Sequence, residues 1–166
     1  MSSTSDVAQK FIDESRRYLS SAYLPRIRAC VEQLPNDAIW WRANEESNSI
    51  GNLILHLAGN VRQWIASGVG GAPDTRDRQA EFDRREPISN AELLATLTAA
   101  VGAADAALAR VTPAELPQRR TIQGHDTTVF EAIYHVVEHF STHTGQIIAL
   151  TKMRPEARVH FEGAAR

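Results

Sequence analysis

The 166-residue sequence predicts an all-α protein, a four-helix bundle with a long loop between its second and third helices. Four segments carry apolar residues at helical spacing, no sustained strand pattern accompanies them, and capping residues and prolines mark their ends. The length suits one domain, so we expect residues 1–166 to form a single bundle around one core.

The first predicted helix covers about residues 5–34 and ends before Pro35. Pro25 must kink this helix or divide it in two, because proline lacks a backbone N–H and clashes with the preceding turn. In the connector that follows, we expect Trp40 and Trp41 to pack over one end of the bundle.

The second predicted helix begins near Ser49 and ends at a cluster of glycines from Gly68 onward. Its apolar residues fall within a sector of about 120° on a helical wheel, which is typical of a helix with one buried face. The irregular stretch from Gly71 to Pro87 is longer than an ordinary connection. It is therefore a candidate lid or binding loop.

The third predicted helix opens with a capping-box sequence at residues 89–92 and stays alanine-rich through Ala109. In the connector after it, the segments RRTIQG and HDTTV predict a short hairpin. A second capping box at residues 128–131 starts the fourth helix, which we expect to end near Lys152.

Composition excludes several classes of function. The net charge of −2 argues against nucleic-acid binding, which needs a concentrated basic surface. No secretory signal is visible and polar residues interrupt the apolar runs before the ~20 residues of a bilayer span, so we expect a cytoplasmic protein without a membrane partner. Cys30 is the sole cysteine, which excludes a disulfide scaffold or a thiolate zinc cluster within one chain.

Three histidines, His135, His139 and His143, follow one another at spacing four on the fourth predicted helix. On a helical wheel His143 lies inside the apolar stripe, His139 at its edge and His135 further out. Four residues rise about 6 Å, so an ion bonded at about 2.1 Å to imidazole nitrogens bridges neighbours but hardly all three histidines. The helix therefore supplies two ligands, and a third must come from elsewhere.

His56 on the second predicted helix is the obvious third ligand. Together with Asn52 and Asn60 it forms a polar stripe at spacing four beside the apolar sector. Inward-facing polar side chains on two helices are costly unless they satisfy each other or a ligand. Three neutral nitrogen ligands with an open position suit Zn²⁺, Ni²⁺ or Fe²⁺. The competing interpretation is that each histidine is a hydrogen-bonded packing residue.

Other polar residues are interpreted mainly as surface. His125 and His160 lie outside the predicted helices, and Glu138 is expected to face solvent, although it could also serve as a base or a partner of a metal ligand. The arginines at 76, 78, 84 and 85 alternate with acidic residues, a pattern typical of a solvated surface.

The segments NLILHLAGN and EHFSTHTGQI together resemble the DinB-like (DinB/YfiT-type) metal-binding four-helix superfamily. The resemblance extends from about residue 10 to 152, and the ending H-x-x-x-H-x-G-Q-I is its most specific part. It implies a divalent metal, commonly zinc or nickel, held by His56, His139 and His143. His135 matches a recurrent feature of a subgroup rather than a ligand position. Homodimers are common in the superfamily.

Characterised members of this superfamily include transferases and isomerases that use low-molecular-weight thiols such as bacillithiol or mycothiol. The resemblance therefore implies a small-molecule substrate and a metal-dependent transferase that activates such a thiol. The alternatives are a hydrolase that uses activated water and a non-enzymatic metal-binding stress-response module.

Five further residues are candidates for contact with substrate. Asn52, Asn60 and Gln146 lie about one helical turn from the predicted ligands and could orient substrate or water. Arg76 and Arg78 on the long loop could clamp an acidic cofactor, although the surface interpretation is the stronger one for both.

Overall fold

The computed structural model describes residues 3–155 and 157–158 as mainly helical, with one two-stranded antiparallel sheet. The elements in chain order are α1 (Thr4–Arg17), a π-helical turn (Tyr18–Tyr23), α2 (Leu24–Glu32), α3 (Asn36–Ile39), α4 (Ile50–Val61), a second π-helical turn (Arg62–Ser67), α5 (Arg78–Asp83), α6 (Asn90–Leu108), a 3-10 turn (Pro113–Glu115), β1 (Arg119–Ile122), β2 (His125–Thr128) and α7 (Val129–Lys152).

The first long helical segment comprises α1, the π-helical turn and α2, without a break between them. Pro25 lies in the first turn of α2. There its missing N–H is tolerated, and the preceding turn widens to accommodate the ring. The predicted kink or division at Pro25 is thus a widened turn within a continuous helical segment.

The connector after α2 contains the short helix α3, which the sequence pattern did not predict. Trp40 follows it and donates from Nε1 to the carbonyl of Ile88 at 3.1 Å. Its ring covers the first turn of α4, since a Cβ added to Gly51 would lie 2.9 Å from the indole. Trp41, by contrast, is 37% exposed.

The second long segment comprises α4 and the π-helical turn of residues 62–67. Its N-terminus is capped by Ser49, whose side chain accepts from the N–H of Asn52. Segment α4 contacts α5, α6 and α7. Because neighbours surround it, ten of its twelve residues are buried, including the polar Asn52, His56 and Asn60.

The predicted long loop between residues 71 and 87 contains the short helix α5, which lies against α4. Asn52 of α4 holds α5 and the residue after it, since its Nδ2 atom donates to the carbonyls of Glu81 at 2.8 Å and Arg84 at 3.2 Å. Arg42 donates to the carbonyl of Phe82 at 3.3 Å and to the Oδ1 atom of Asn52 at 2.6 Å. The loop is therefore attached to α4 through the backbone of residues 81 and 84.

Both predicted capping boxes are present, at Ser89 with Glu92 and at Thr128 with Glu131. The predicted hairpin is β1 and β2, whose register pairs Arg119 with Thr128. Gln123 and Gly124 form its turn with φ values of 54° and 79°. Positive φ at both central residues matches the right-handed twist of the strands.

One apolar core joins side chains from all four long helical segments, among them Ile12, Leu57, Leu97 and Phe140. Of the described helices, α6 alone has the length and apolar composition of a membrane span. This is a weak indication, since core helices of soluble proteins meet the same criterion, and Leu93, Leu97 and other residues of α6 are buried within the fold.

Candidate metal centre

Three histidines from two helices meet in one cluster: His56 of α4 and His139 and His143 of α7. One ring nitrogen from each lies within 4.8 Å of the others. The Nε2 atoms of His56 and His139 are 2.8 Å apart, and the ring centres of His139 and His143 are 4.4 Å apart. His56 is buried and the other two are half-buried.

Hydrogen bonds to Nδ1 leave Nε2 available on two of these rings. The Nδ1 atom of His143 is 2.7 Å from the Oε1 atom of Gln146, and the Nδ1 atom of His56 is 3.0 Å from the Oε2 atom of Glu81. Both oxygens can accept, so a proton on each Nδ1 would complete these hydrogen bonds and leave a lone pair on each Nε2. This is the neutral form in which imidazole binds a metal.

The electrostatic environment also favours neutral rings. Burial, together with the neighbouring His143 and His56, lowers the pKa of His139 to about 3. Burial likewise lowers the pKa of His143, opposed by its hydrogen bond to Gln146. At neutral pH His139 and His143 therefore present nitrogen ligands without first releasing protons.

An ion pair behind His56 was missed by the sequence patterns. Arg76 donates to both carboxylate oxygens of Glu81, from Nε at 2.7 Å and from Nη2 at 2.8 Å. The two side chains are only 4% and 10% exposed. The prediction that Arg76 belongs to a solvated surface is therefore wrong, because α5 folds onto α4 and takes the ion pair out of solvent.

Burial raises the pKa of the Glu81 carboxyl, but hydrogen bonds from Arg76 and His56 and the positive charge of Arg76 outweigh it. The pKa of Glu81 consequently lies below its usual value, and the carboxylate is ionised beside His56. Nothing in the local sequence distinguishes Glu81 from the exposed Asp77 and Asp83 on either side of it. The path of the loop places Glu81, and not its two acidic neighbours, against His56.

His135 lies on the same face of α7 but outside the three-histidine cluster. Its Nε2 atom is 3.4 Å from the Nδ2 atom of Asn60, and its ring centre is 4.3 Å from that of Trp64. Burial lowers the pKa of His135 as well. Its contacts with Asn60 and Trp64 make it a wall of the neighbouring cleft.

That cleft, of about 580 Å³, opens beside the histidine cluster. Its lining residues are His56, Asn60, Trp64, Arg76, Arg78, Gln123, His125, His135 and His139. Two buried polar atoms in this lining, Oδ1 of Asn60 and Nε1 of Trp64, have no hydrogen-bond partner among residues 3–155 and 157–158.

Comparison with known proteins places the chain in a family. The family model described as "protein of unknown function (DUF1572)" matches residues 6–161. The chain belongs to the DUF1572 family. No curated protein matches this DUF1572 chain in sequence.

The DUF1572 chain is similar in structure to a DinB-like protein from Bacillus cereus ATCC 10987, known from a crystal structure. The TM-score is 0.64 at 15% sequence identity, and the match covers 83% of this chain and 91% of that one. The predicted DinB-like resemblance is thus confirmed, and identity at this level shows the fold alone.

The remaining candidate residues of this DUF1572 protein lie in different places. Asn52 is fully buried beneath α5, and Gln146 is exposed beside His143. Arg78 is exposed on the cleft, with its guanidinium 5.0 Å from the ring centre of Phe82.

The predicted surface residues of the DUF1572 chain can be placed as well. Glu138 is exposed, as predicted, and accepts from the hydroxyl of Thr142 at 3.0 Å. His125 is exposed too, yet it lies over Trp64 with ring centres 6.4 Å apart. His160 lies outside the described residues.

Proposed function

We propose that this protein is a divalent-metal-dependent transferase that activates a low-molecular-weight thiol. His56, His139 and His143 would hold the ion, with zinc and nickel as the candidates that best suit imidazole ligands. The observation that carries the proposal is the pair of Nε2 atoms of His56 and His139, which face each other 2.8 Å apart with a third imidazole alongside.

A shared cation accounts for this cluster better than packing does. The hydrogen bond to Glu81 gives His56 a lone pair on Nε2, directed at the Nε2 atom of His139. A hydrogen bond between His56 and His139 would satisfy the nitrogens of those two rings alone. An ion would satisfy one nitrogen from each of the three histidines. Once bound, the ion would supply a nucleophile at neutral pH by lowering the pKa of a thiol or a water.

The thiol would come from solution. Cys30 is the chain's sole cysteine and is fully buried in the core, where burial raises the pKa of its thiol. The cleft beside His56 and His139 is large enough for a small thiol and its acceptor. Asn60 and Arg78 line this cleft and would contact the bound molecules.

We further propose that the four long helical segments form a four-helix bundle. Contacts connect α4 with α6 and α7, and connect α2 with α6 and α7. This arrangement would hold α4 and α7 against each other, so that the two helices bring their histidines together.

Metal content tests the ligand assignment. Elemental analysis of untagged protein is expected to give about one divalent ion per chain. His56→Ala, His139→Ala and His143→Ala should each remove most of it, because two imidazoles bind an ion far more weakly than three.

His135→Ala is the matched control, since it removes an imidazole from the same helix face and should retain most of the metal. Equal losses in all four variants would overturn the ligand assignment, and absence of metal from the wild-type protein would overturn the proposal.

Spectroscopy of the cobalt-substituted protein tests the reaction class. Addition of 2-mercaptoethanol should produce a thiolate-to-metal charge-transfer band, whereas ethylene glycol, its hydroxyl analogue, should not. If thiols leave the spectrum unchanged while the protein hydrolyses esters, the hydrolase alternative replaces the transferase. If no small molecule alters the spectrum, a non-enzymatic metal-binding module is the better description.

A further inference from the structure

We propose that Glu81 is a positioning residue, which holds the ring proton of His56 on Nδ1 and so aims Nε2 at His139. This inference deepens the proposed function, on which its effect on metal affinity rests. The position of the proton itself is a property of the metal-free protein and is measurable without any ion.

The geometry favours one arrangement of protons at this contact. The Nδ1 atom of His56 lies 3.0 Å from the Oε2 atom of Glu81 and 3.1 Å from the Nη2 atom of Arg76. If Nδ1 lacked its proton, two acceptors would face each other across 3.0 Å, with one Arg76 donor between them. With the proton on Nδ1, the carboxylate oxygen accepts from both donors, and Nη2 of Arg76 donates to that oxygen at 2.8 Å rather than to Nδ1.

The ion pair itself is held in place from several sides. Arg76 donates from Nη1 to the Oε1 atom of Gln63 at 2.9 Å, in addition to its two bonds to Glu81. The backbone carbonyl of Glu81 accepts from Asn52. Side chain and backbone of Glu81 are therefore both fixed, as a residue that orients a metal ligand requires.

Gly59 provides the space in which the carboxylate lies. A Cβ added at this position would be 1.9 Å from the Oε1 atom of Glu81 and 2.9 Å from the Nε atom of Arg76. The three atoms nearest to such a Cβ belong to Glu81 and Arg76, and none belongs to His56, so a methyl group at Gly59 would meet the carboxylate first. The absence of a side chain at position 59 is thus required for the contact between Glu81 and His56.

Two readouts test the inference. In metal-free, ¹⁵N-labelled protein, NMR of the imidazole nitrogens should show the proton of His56 on Nδ1 in the wild type. Glu81→Ala should shift His56 to a mixture of tautomers. In metal titrations, Glu81→Ala should weaken zinc binding about 10- to 100-fold, the usual cost of losing the partner of a metal-bound histidine.

A conservative substitution and a control substitution distinguish a positioning role of Glu81 from a general loss of structure. Glu81→Gln keeps an oxygen acceptor for Nδ1–H, so it should restore the Nδ1 tautomer and recover part of the affinity. Asp83→Ala removes an exposed carboxylate from the same short helix and should change neither readout.

Gly59→Ala should reduce zinc affinity as much as Glu81→Ala does. The double variant should have no lower affinity than either single variant, because both substitutions remove the same contact. Gly102→Ala is the matched control, since a Cβ there has nothing within 4 Å.

The outcomes distinguish this inference from the proposed function. The positioning role is overturned if His56 keeps its proton on Nδ1 in Glu81→Ala. It is also overturned if Glu81→Ala and Gly59→Ala both bind zinc within twofold of wild type. Either result would leave the metal proposal intact, provided that His56→Ala abolishes binding. If wild-type protein binds no metal but the tautomer of His56 changes in Glu81→Ala, the positioning role stands and the metal proposal fails.

Discussion

At the residue scale, periodicity within one helix predicted two of the three ligands, and a polar stripe on another helix predicted the third, His56. His139 and His143 are one turn apart on α7, so their proximity follows from the helix alone. Glu81 was not accessible, because its contact with His56 depends on the path of a loop 25 residues further along the chain. The burial of Arg76 was mispredicted for the same reason.

The low pKa of His139 predicts an acid-sensitive metal-free protein. The folded state holds this pKa near 3, whereas an unfolded histidine titrates near 6.5. Below about pH 6.5 the unfolded chain therefore binds a proton that the folded chain does not. The free energy of unfolding should fall as the pH is lowered from about 6.5 toward 3, by up to about 1.4 kcal/mol per pH unit for this one group.

Denaturant unfolding of chelator-treated protein at several pH values measures this dependence. His139→Gln carries no titratable ring and should show a shallower slope below pH 6.5, with no difference in slope from wild type above it. Identical slopes over the whole range would contradict a depressed pKa at His139.

At the element scale, all four long helices and the hairpin were predicted, because caps, prolines and apolar periodicity are local signals. The short helices α3 and α5 were not, since segments of four and six residues carry too little periodicity to detect. The π-helical turns were also missed. Only Pro25 gave a local sign of one of them, and the turn at residues 62–67 has no proline.

The hairpin turn contains a strained residue whose replacement should stabilise the fold. Gln123 has a φ of 54°, which costs a residue with a side chain about 1 kcal/mol relative to glycine. Gln123→Gly should therefore raise the melting temperature by about 2–4 °C, measured by differential scanning calorimetry.

Gly124→Ala, at a φ of 79°, is the opposite change and should lower the melting temperature. A melting temperature of Gln123→Gly at or below that of wild type would contradict the strain assigned to this residue.

At the scale of the whole molecule, the candidate centre joins α4 to α7, two helices that are far apart in sequence. An ion bound only by the folded state stabilises it by an amount set by its concentration relative to Kd, about 2.7 kcal/mol at a hundredfold excess. The homodimer and the cytoplasmic location remain predictions, because both depend on surfaces and surroundings outside a single chain.

Chelation should accordingly lower the melting temperature of the wild-type protein, as measured by calorimetry with and without EDTA. His56→Ala should melt at the same temperature in both conditions, because it has no ion to lose. An unchanged melting temperature in the wild type would indicate that the two helices are held together without metal.

The attachment of the 71–87 loop to α4 makes loop order and ligand geometry a single cooperative unit. Asn52 holds the backbone of Glu81, and Glu81 contacts His56, so this contact to the imidazole exists only while the loop lies against α4. Thermodynamic linkage is reciprocal, and an ion that binds the oriented imidazole must therefore favour the closed loop. Amide hydrogen exchange and proteolysis between residues 77 and 84 should slow when the centre is loaded, so that loop protection reports occupancy without any assay of activity.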